Sequence, residues 1–328
     1  MINGMDTAQL YRDFAAREAR GHSPRYERLA AAVAEDAALL DLIDLLPEGR
    51  RQPNLLLGAV RFLGGECRDP GLFRGWVAEH WDQVRGVMLR RRTQTNEAGR
   101  CATLLPVLAA LPQPLALIEV GASAGLCLYP DKYRYVYDER PPLGPADSPV
   151  TLRCRTTGPV PFPERLPRVV WRGGVDLNPL DVHDADAMRW LECLVWPEQT
   201  ERLRRLRGAV RVARDPGEPP PRLVRGDLNE AVAELVAQVP DGATSVVFHS
   251  AVLAYLPLPA REEFAATMRR LPGHWISNEA TSVLPAVAAR LPVPAPPDRT
   301  VFALALDERP LAFTGPHGQA LEWFGEQA

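Results

Sequence analysis

Apolar residues recur at helical spacing through the first third of the chain. Three stretches, 29–43, 54–63 and 73–88, carry them at steps of three and four. Pro47 follows the first stretch closely, and Gly64 and Gly65 end the second. The pattern predicts helices over all three stretches and an N-terminal helical region over 1–112.

After Pro112 the pattern changes to short apolar runs separated by helical stretches. The runs have the length of buried strands and cover 115–120, 168–171, 222–225, 244–248 and 274–277. Helical spacing returns at 185–196, 201–214, 228–239 and 260–271. Strands that alternate with helices predict an α/β fold with a mostly parallel sheet. Residues 301–314 predict a closing antiparallel hairpin at a sheet edge.

Residues 130–167 interrupt this alternation. The segment is rich in aromatic residues and proline, and Tyr133, Tyr135 and Tyr137 alternate in a short strand-like run. A long insertion near a ligand loop is often functional, so we expect an inserted hairpin or lid, or else a surface excursion. The chain thus divides into a helical N-terminal cap region, 1–112, and a sheet domain, 113–328, that carries the insertion.

Composition and charge restrict the function. The 328 residues are 46% hydrophobic and 24% charged, which is typical of a folded globular protein. Lys and Arg total 38 against 41 Asp and Glu, so no basic footprint for nucleic acid or an anionic membrane is expected. A small-molecule partner is the better expectation, and the sequence does not indicate an oligomeric state.

The cysteines and the N-terminus indicate the compartment. Five cysteines are scattered without a C-x-x-C pair, so we expect neither a disulfide framework nor a metal site, and a reducing cytoplasm. The N-terminus lacks the apolar stretch of a signal peptide. Residues 101–118 are uncharged but too short, and too often interrupted by proline, to span a membrane.

The most informative block is Leu117–Gly125, an apolar strand followed by the turn Gly-Ala-Ser-Ala-Gly. Glycines after a parallel strand let backbone N–H groups approach a ligand, and the N-terminus of a following helix favours polar or anionic groups. The pattern therefore predicts a nucleotide-type binding turn. The alternative is structural, because a tight connection from strand to helix needs glycine anyway.

Three acids follow strands that should end at one edge of the sheet: Glu119, Asp176 and Asp227. Ligands of doubly wound sheets bind beyond the carboxyl ends of the strands, where the strand order reverses. Asp176 is suited to accept hydrogen bonds from ribose hydroxyls, and Asp227 from an exocyclic amine. Each acid has an alternative role as the cap of the next helix.

These residues resemble the class I S-adenosylmethionine-dependent methyltransferases, over about residues 113–328. The resemblance implies a Rossmann-like sheet and S-adenosylmethionine as cofactor. It places the methionine part against Glu119, the ribose at Asp176 with Leu177, and the adenine at Asp227 with Leu228. Turn residues Gly121, Ala122, Ser123 and Gly125 would complete the cofactor site. Two departures stand out: the turn lacks the middle glycine, and Asp176 follows Gly121 by 55 residues (176 minus 121) rather than about 20.

The whole chain also resembles an uncharacterised bacterial family catalogued as a domain of unknown function. The blocks that carry this likeness are 93–100, 175–181, 195–198 and 248–255. The likeness implies no reaction. Because it covers both the helical region and the sheet region, we treat the two regions as parts of one protein module.

His249 is the leading catalytic candidate. It follows an apolar strand, and an imidazole beside the methyl acceptor can remove a proton from the nucleophile. Asn96, Glu97 and Arg100 form a polar trio that could reach over the cofactor turn, with Thr95 as a helix cap. The trio has an alternative reading as an exposed Glu97–Arg100 ion pair beside a cap.

Two other functions stay open. The turn also matches G-x-S-x-G, the nucleophile elbow of α/β-hydrolases, with Ser123 as nucleophile, Asp241 as acid and His249 or His274 as base. The helical N-terminus argues against this, because the elbow normally follows several strands of the same sheet. A non-catalytic nucleotide-binding module is the third possibility. The sequence favours an S-adenosylmethionine-binding protein, a methyltransferase of a small-molecule acceptor.

Overall fold

A computed structural model of the chain describes residues 6–324. Its helices are α1 (Thr7–Asp13), α2 (Pro24–Ala34), α3 (Ala37–Asp44), α4 (Pro53–Phe62), α5 (Pro70–Glu79), α6 (Trp81–Arg90), α7 (Cys101–Ala110), α8 (Ala185–Leu194), α9 (Thr200–Ala213), α10 (Leu228–Val236), α11 (Leu258–Met268) and α12 (Pro285–Ala288). Its strands are β1 (Leu115–Val120), β2 (Arg134–Tyr137), β3 (Thr151–Thr157), β4 (Val169–Asp176), β5 (Arg222–Arg225), β6 (Thr244–Ser250), β7 (His274–Ala280), β8 (Phe302–Leu306), β9 (Arg309–Thr314) and β10 (Ala320–Trp323). The fold is α/β with a helical N-terminal region, as the pattern predicts.

The chain forms two compact units. The first comprises residues 1–95 and 183–204, and the second comprises 96–182 and 205–328. The first unit contains α1 to α6 and α8 around a core that includes Tyr11, Leu29 and Trp190. Its helices begin at side-chain caps: Ser23 accepts from Tyr26 N before α2, and Asp36 accepts from Ala38 N before α3. The Asp36 cap explains why the predicted helix over 29–43 is two helices.

The second unit is built on a ten-stranded sheet, in the order β2-β3-β10-β9-β8-β7-β6-β1-β4-β5. The five strands from β7 to β5 are parallel, and β1 lies among them with β6 on one side and β4 on the other. The chain runs from β1 outward to β4 and β5, and then returns to β6 and β7. The strand order therefore reverses between β1 and β6, which is where ligands of doubly wound sheets bind.

Register assigns the central side chains to two faces of the sheet. Glu119 is paired with Gly174 of β4 and Phe248 of β6, so Glu119, Asp176, Ser250 and Asn278 share what we call the Glu119 face. The opposite side, the α10 face, carries Ile118, Val120, Val247, His249, Trp275 and Glu279. Helices α10 and α11 pack on that side, through residues that include Val232 and Phe264.

Two predictions for the segment that follows β1 need correction. No α-helix follows the glycine-rich turn: only a 3₁₀ turn, Leu126–Leu128, does so. The insertion is neither a hairpin nor a lid, because β2 and β3 pair in parallel and β3 pairs with β10, which extends the sheet. Tyr133, Tyr135 and Tyr137 are buried, and each donates its phenolic O–H to a backbone carbonyl.

The closing hairpin is antiparallel, as predicted, but β10, β3 and β2 lie beyond it, so it stands inside the sheet rather than at its edge. Asp307 and Glu308 form its turn with φ of 49° and 64°, values that suit the tight turns of hairpins. No helix within residues 6–324 combines the length and apolar character needed to cross a membrane.

Candidate functional site

The turn Gly121–Gly125 lies at the carboxyl end of β1, and its own chain satisfies its backbone. Gly121 N and Ala122 N donate to Val175 O, and Gly125 N donates to Ala122 O at 2.6 Å. Ser123 N donates to Asp176 Oδ2 at 2.8 Å, and Ala124 N donates to Asn96 Oδ1 at 3.3 Å. Every N–H of the turn therefore has a partner. The turn therefore does not form an anion-binding site, because its backbone N–H groups are all paired and no α-helix begins directly after it.

Glycine at position 121 is required by packing as well as by its φ of +72°. A Cβ there would lie 2.4 Å from Cγ2 of Val252, which belongs to the segment after β6. Val252 therefore fills the space beside the bend. The turn serves to bring β1, β4 and this segment together, and the groups open to a ligand are side chains around it.

Glu119 precedes the turn by two residues, and one of its carboxyl oxygens lacks a hydrogen-bond partner. Its Oε2 is buried and has no hydrogen-bond partner among residues 6–324. Burial raises the pKa of the Glu119 carboxyl well above its usual range; Cys127 and Asp176 add to this, whereas Arg100 opposes it. A buried carboxyl oxygen without a hydrogen-bond partner is costly, so Glu119 Oε2 is a candidate to accept from a polar ligand group.

Asp176 shares the Glu119 face and is engaged by the backbone. Oδ2 accepts from Ser123 N, and Oδ1 accepts from Asn178 N at 2.6 Å. A carboxylate has about four acceptor sites, so two bonds leave capacity for a ligand hydroxyl. Leu177, the next residue, is 64% exposed.

The trio Asn96, Glu97 and Arg100 lies in the second unit, and the predicted grouping is only partly correct. Glu97, not Thr95, caps the short 3₁₀ turn Ala98–Arg100, through Gly99 N. Its carboxylate pairs with Arg205 at 2.6 Å rather than with Arg100, and Glu97 is only 2% exposed. These two contacts give Glu97 a structural role in the second unit.

Arg100 and Asn96 keep donors for a ligand. Arg100 donates from Nη1 to Ser250 O at 2.7 Å and from Nε to Pro316 O at 3.0 Å, while Nη2 has no hydrogen bond to a described residue. Asn96 Nδ2 is buried and lacks an acceptor anywhere in 6–324. Asn96 thus brings a donor to the turn that Glu119 precedes, and Arg100 acts electrostatically on Glu119.

His249 lies on the α10 face, the side of the sheet opposite Glu119. It is completely buried, with Nδ1 2.7 Å from Glu279 Oε1 and Nε2 2.9 Å from Trp275 Nε1. Both ring nitrogens are engaged, so His249 has none available to remove a proton from an acceptor. Alternation along β6 explains the correction, because a residue next to Phe248 must point to the other face.

Asp227 and Leu228 lie at the start of α10. Asp227 is exposed and caps that helix by accepting from Asn229 N at 2.8 Å. Leu228 is buried against the α10 face. The capping role that the sequence left open is therefore present, and Oδ2 of Asp227 is the atom without a hydrogen bond to a described residue.

The hydrolase arrangement does not assemble. Asp241 precedes β6 and His274 begins β7, so both lie at the amino edge of the sheet, whereas Ser123 follows the carboxyl end of β1. Strands of this length separate the two edges by roughly 20 Å. His249, the other candidate base, is engaged on the opposite face of the sheet. Among residues 6–324, no group of three His, Cys, Asp or Glu side chains could hold a metal ion.

Several residues around the turn were not among the predicted catalytic and cofactor-binding residues. Val252 fills the bend, Cys127 donates to Glu97 O over 3.4 Å, and Arg205 pairs with Glu97. Asn278 is fully buried, and its amide joins Ser250 Oγ to Thr314 Oγ1. Val252, Cys127 and Arg205 had no local signal, whereas Asn278 and Glu279, polar residues at the end of an apolar strand, are weaker candidates from the sequence for orienting an acceptor.

Comparison with known proteins gives a family but no reaction. The sequence model of a family described as an uncharacterized protein conserved in bacteria (DUF2332) matches residues 8–323. Comparison with curated proteins gives no match. Comparison with solved structures gives none either.

Proposed function

The chain belongs to the DUF2332 family, and we propose that it binds S-adenosylmethionine at the Glu119 face and transfers the methyl group to a small-molecule acceptor. One observation carries the proposal: Glu119 Oε2 is buried without a partner among residues 6–324, at the end of the central strand. A cationic ligand group would supply the missing donor. S-adenosylmethionine carries an ammonium and a sulfonium.

The polar atoms around the turn match the amino-acid end of this cofactor. A zwitterion needs an acceptor for its ammonium and donors for its carboxylate. Glu119 Oε2 is the acceptor, and Asn96 Nδ2 with Arg100 Nη2 are the donors. All three side chains belong to segments that contact the turn or lie beside it, since Asn96 accepts from Ala124 N and Glu119 precedes Gly121 by two residues. This end of the site fits the cofactor.

The nucleoside end rests on Asp176, Leu177 and Asp227. Asp176 keeps acceptor capacity for ribose hydroxyls, and exposed Leu177 offers an apolar surface to the adenine ring. Asp227 Oδ2 would accept from the adenine amine while Oδ1 caps α10. The turn residues Gly121 to Gly125 hold these groups in place without contacting the ligand through their amides.

When bound, the cofactor would supply a methyl group on a sulfonium, which the acceptor takes by in-line displacement with the neutral thioether as leaving group. The main demand of such a step is alignment of the acceptor and exclusion of water. Glu119 and Asn96 would fix the methionine end, and Asp176 the ribose. His249 has no chemical step in this proposal: it positions the segment that contains Val252. The balanced charge of the chain favours a small acceptor over a polymer.

Titration calorimetry in buffers of different ionisation enthalpy tests the site. Burial raises the pKa of the Glu119 carboxyl, which favours its protonated form in the chain without ligand. An ammonium beside it would displace that proton, so the observed enthalpy should depend on the buffer. Glu119→Gln should weaken binding by about 10- to 100-fold, the effect of a lost charged hydrogen bond, and should abolish the buffer dependence.

The matched control is Glu234→Gln, an exposed position of α10. It should bind S-adenosylmethionine with the affinity and the buffer dependence of the unmodified chain. If the unmodified chain does not bind, or if both variants bind alike, the assignment of the site is wrong. Binding without turnover across a broad panel of acceptors would leave a cofactor-binding module and remove the transferase.

A further inference from the structure

The first unit contains a separate, positively charged cavity of about 490 Å³. Its walls are formed by the end of α4, the segment before α5, and Arg25 at the start of α2. The residues that line it are Arg25, Arg61, Gly64, Gly65, Glu66, Cys67, Arg68 and Trp76. Its volume lies within the range of small-molecule sites, which is about 300–1,000 Å³.

Arg61 is held so that one edge of its guanidinium remains available. Nη1 alone makes its hydrogen bonds, to Val195 O, to Cys193 O at 2.9 Å and to the phenolic oxygen of Tyr26 at 3.4 Å. Nε and Nη2 make no hydrogen bond within residues 6–324. This pair of N–H groups forms the fork that binds two oxygens of one phosphate or carboxylate. Its orientation is set before any ligand arrives.

Arg25 and Arg68 add positive charge that no side-chain hydrogen bond or ion pair compensates, and Glu198 is a carboxylate on which Arg25 acts electrostatically. Neither guanidinium makes a hydrogen bond or an ion pair with a described residue, although the backbone N–H of Arg25 donates to Glu198 at 3.2 Å. Glu198 is itself engaged by Ser23 Oγ at 2.5 Å. Glu66 is the one acid in the lining and accepts from Arg68 N. Three guanidiniums and one carboxylate leave a charge of +2 (3 minus 1).

The remaining walls are neutral. Burial raises the pKa of the Cys67 thiol to about 12, although Arg61 and Arg25 oppose this, so the sulfur is an uncharged thiol at neutral pH. Trp76 stacks on His80 with 4.3 Å between ring centroids and forms an apolar wall. Glycine at 65 keeps that wall in place, because a Cβ there would lie 2.6 Å from the Trp76 ring.

We propose that this cavity is a binding site for a small organic phosphate monoester, independent of the site at Glu119. The dianion of a phosphate monoester, whose second pKa is about 6, matches the charge of +2 near pH 7. A single carboxylate would leave one positive charge uncompensated. The Arg61 fork binds two phosphate oxygens, Arg25 and Arg68 supply the remaining charge, and Trp76 contacts the organic part.

Calorimetry with the full chain at fixed ionic strength tests this site, with phenyl phosphate, inorganic phosphate and benzoate as probes. Phenyl phosphate should bind with a Kd of about 0.1 mM, and inorganic phosphate about tenfold more weakly because it lacks the group that meets Trp76. Benzoate, which has the same ring but a single carboxylate, should bind more weakly than phenyl phosphate because it leaves one positive charge uncompensated. Equal affinity for phenyl phosphate and benzoate would overturn the ligand class, and no binding of any probe would overturn the site.

The variants use side chains without internal partners, so the fold should be unaffected. Arg25→Gln with Arg68→Gln should lower the affinity for phenyl phosphate at least tenfold, and Arg68→Glu alone should do the same by reversing a charge at an exposed position. Arg85→Gln, at an exposed position of α6 outside the cavity lining, is the matched control and should bind normally. Retained affinity in the first two variants, or an equal loss in the control, would overturn the proposal.

The two sites can be tested separately. Glu119→Gln should not change phenyl phosphate binding, and the Arg25 and Arg68 variants should not change the affinity for S-adenosylmethionine. A chain that fails to bind S-adenosylmethionine can still bind phenyl phosphate. A reciprocal loss in these variants would contradict independence of the sites.

Discussion

The indole Nε1–H of Trp275 donates a hydrogen bond to Nε2 of His249 over 2.9 Å. An indole nitrogen can only donate, so Nε2 of the histidine carries no proton. The remaining proton lies on Nδ1, which donates to Glu279 Oε1 over 2.7 Å. The same oxygen accepts from Val252 N and Leu253 N, so a neutral imidazole and a carboxylate hold the segment that packs against Gly121.

Glu279 should stabilise the fold in a pH-dependent way. Hydrogen bonds from His249, Val252 and Leu253 lower the pKa of Glu279 against the opposing effect of burial. A lowered folded-state pKa gives stability that is present above the unfolded pKa, about 4.3, and is lost as the pH falls through the folded value. Glu279→Gln should cost about 2 kcal/mol at pH 7. Urea unfolding at pH 7, 5 and 4 should show this difference shrinking below pH 5, whereas a constant difference would contradict it.

Glu119 should show the opposite pH dependence. Burial raises its pKa, so its contribution is full below the unfolded value of about 4.3 and is lost as the pH rises through the folded value. Without ligand, Glu119→Gln should flatten the fall in stability as the pH rises above about 4.3, and it should become the more stable protein as the pH rises further. Thermal unfolding across this range measures the effect. Parallel curves for the variant and the unmodified chain would show that Glu119 is not a buried neutral acid.

Gly121 and Val252 should be energetically coupled. Gly121→Ala should destabilise by about 2–4 kcal/mol, because it adds a contact of 2.4 Å to the cost of a φ of +72°. Combined with Val252→Ala, which removes Cγ2, the loss should be at least about 1 kcal/mol smaller than the sum of the two single losses. Chemical denaturation of the unmodified chain, the two single variants and the double variant gives the coupling free energy.

The control for this cycle is Gly242→Ala. Gly242 has a φ of +80°, and a Cβ at this position would have no neighbouring atom within 4 Å, so only the backbone cost of about 1 kcal/mol should appear. Additive losses for Gly121→Ala and Val252→Ala would mean that the bend is not closed by Val252.

Among the charged residues of the sheet, Arg172 should be the one whose substitution lowers the free energy of unfolding most. Its Nη2 pairs with Asp131 at 2.8 Å and with Glu218 at 3.4 Å, and its side chain is only 6% exposed. Arg172→Met would leave Asp131 partly buried without its partner, which costs about 3–5 kcal/mol for a buried pair, whereas Glu218 would keep its ion pair with Lys132. Arg299→Met breaks a more exposed pair with Glu322 in the same unit and should change the denaturation midpoint far less. Comparable losses in both variants would contradict this ranking.

Much of the fold could be predicted because its signals are local. The run 115–120 is apolar and of strand length, and β1 covers the same residues; 222–225 and β5 agree in the same way. The helix expected after Gly125 is absent, because this turn leads through Leu126–Leu128 into β2. Glycine spacing indicates a tight turn, but it does not determine whether a helix follows.

The candidate site was less predictable, since its contacts join residues far apart in the chain. Glu97 was expected beside Arg100 three residues away, but it pairs with Arg205, which is 108 residues away. Asp131 and Arg172 meet across 41 residues. No spacing rule relates such positions, because their approach depends on the order of the strands and the path of the loops.

The sequence by itself determined the α/β class, the positions of most strands and helices, and the acids at the ends of β1, β4 and β5, because apolar periodicity and capping act over a few residues. Tertiary structure alone decided which face each side chain occupies. Register places Glu119 and Asp176 on one face of the sheet, and His249 with Glu279 on the other. The physical reason is the two-residue alternation of a strand: a neighbour in sequence points away, and only pairing between strands decides which distant groups share a side.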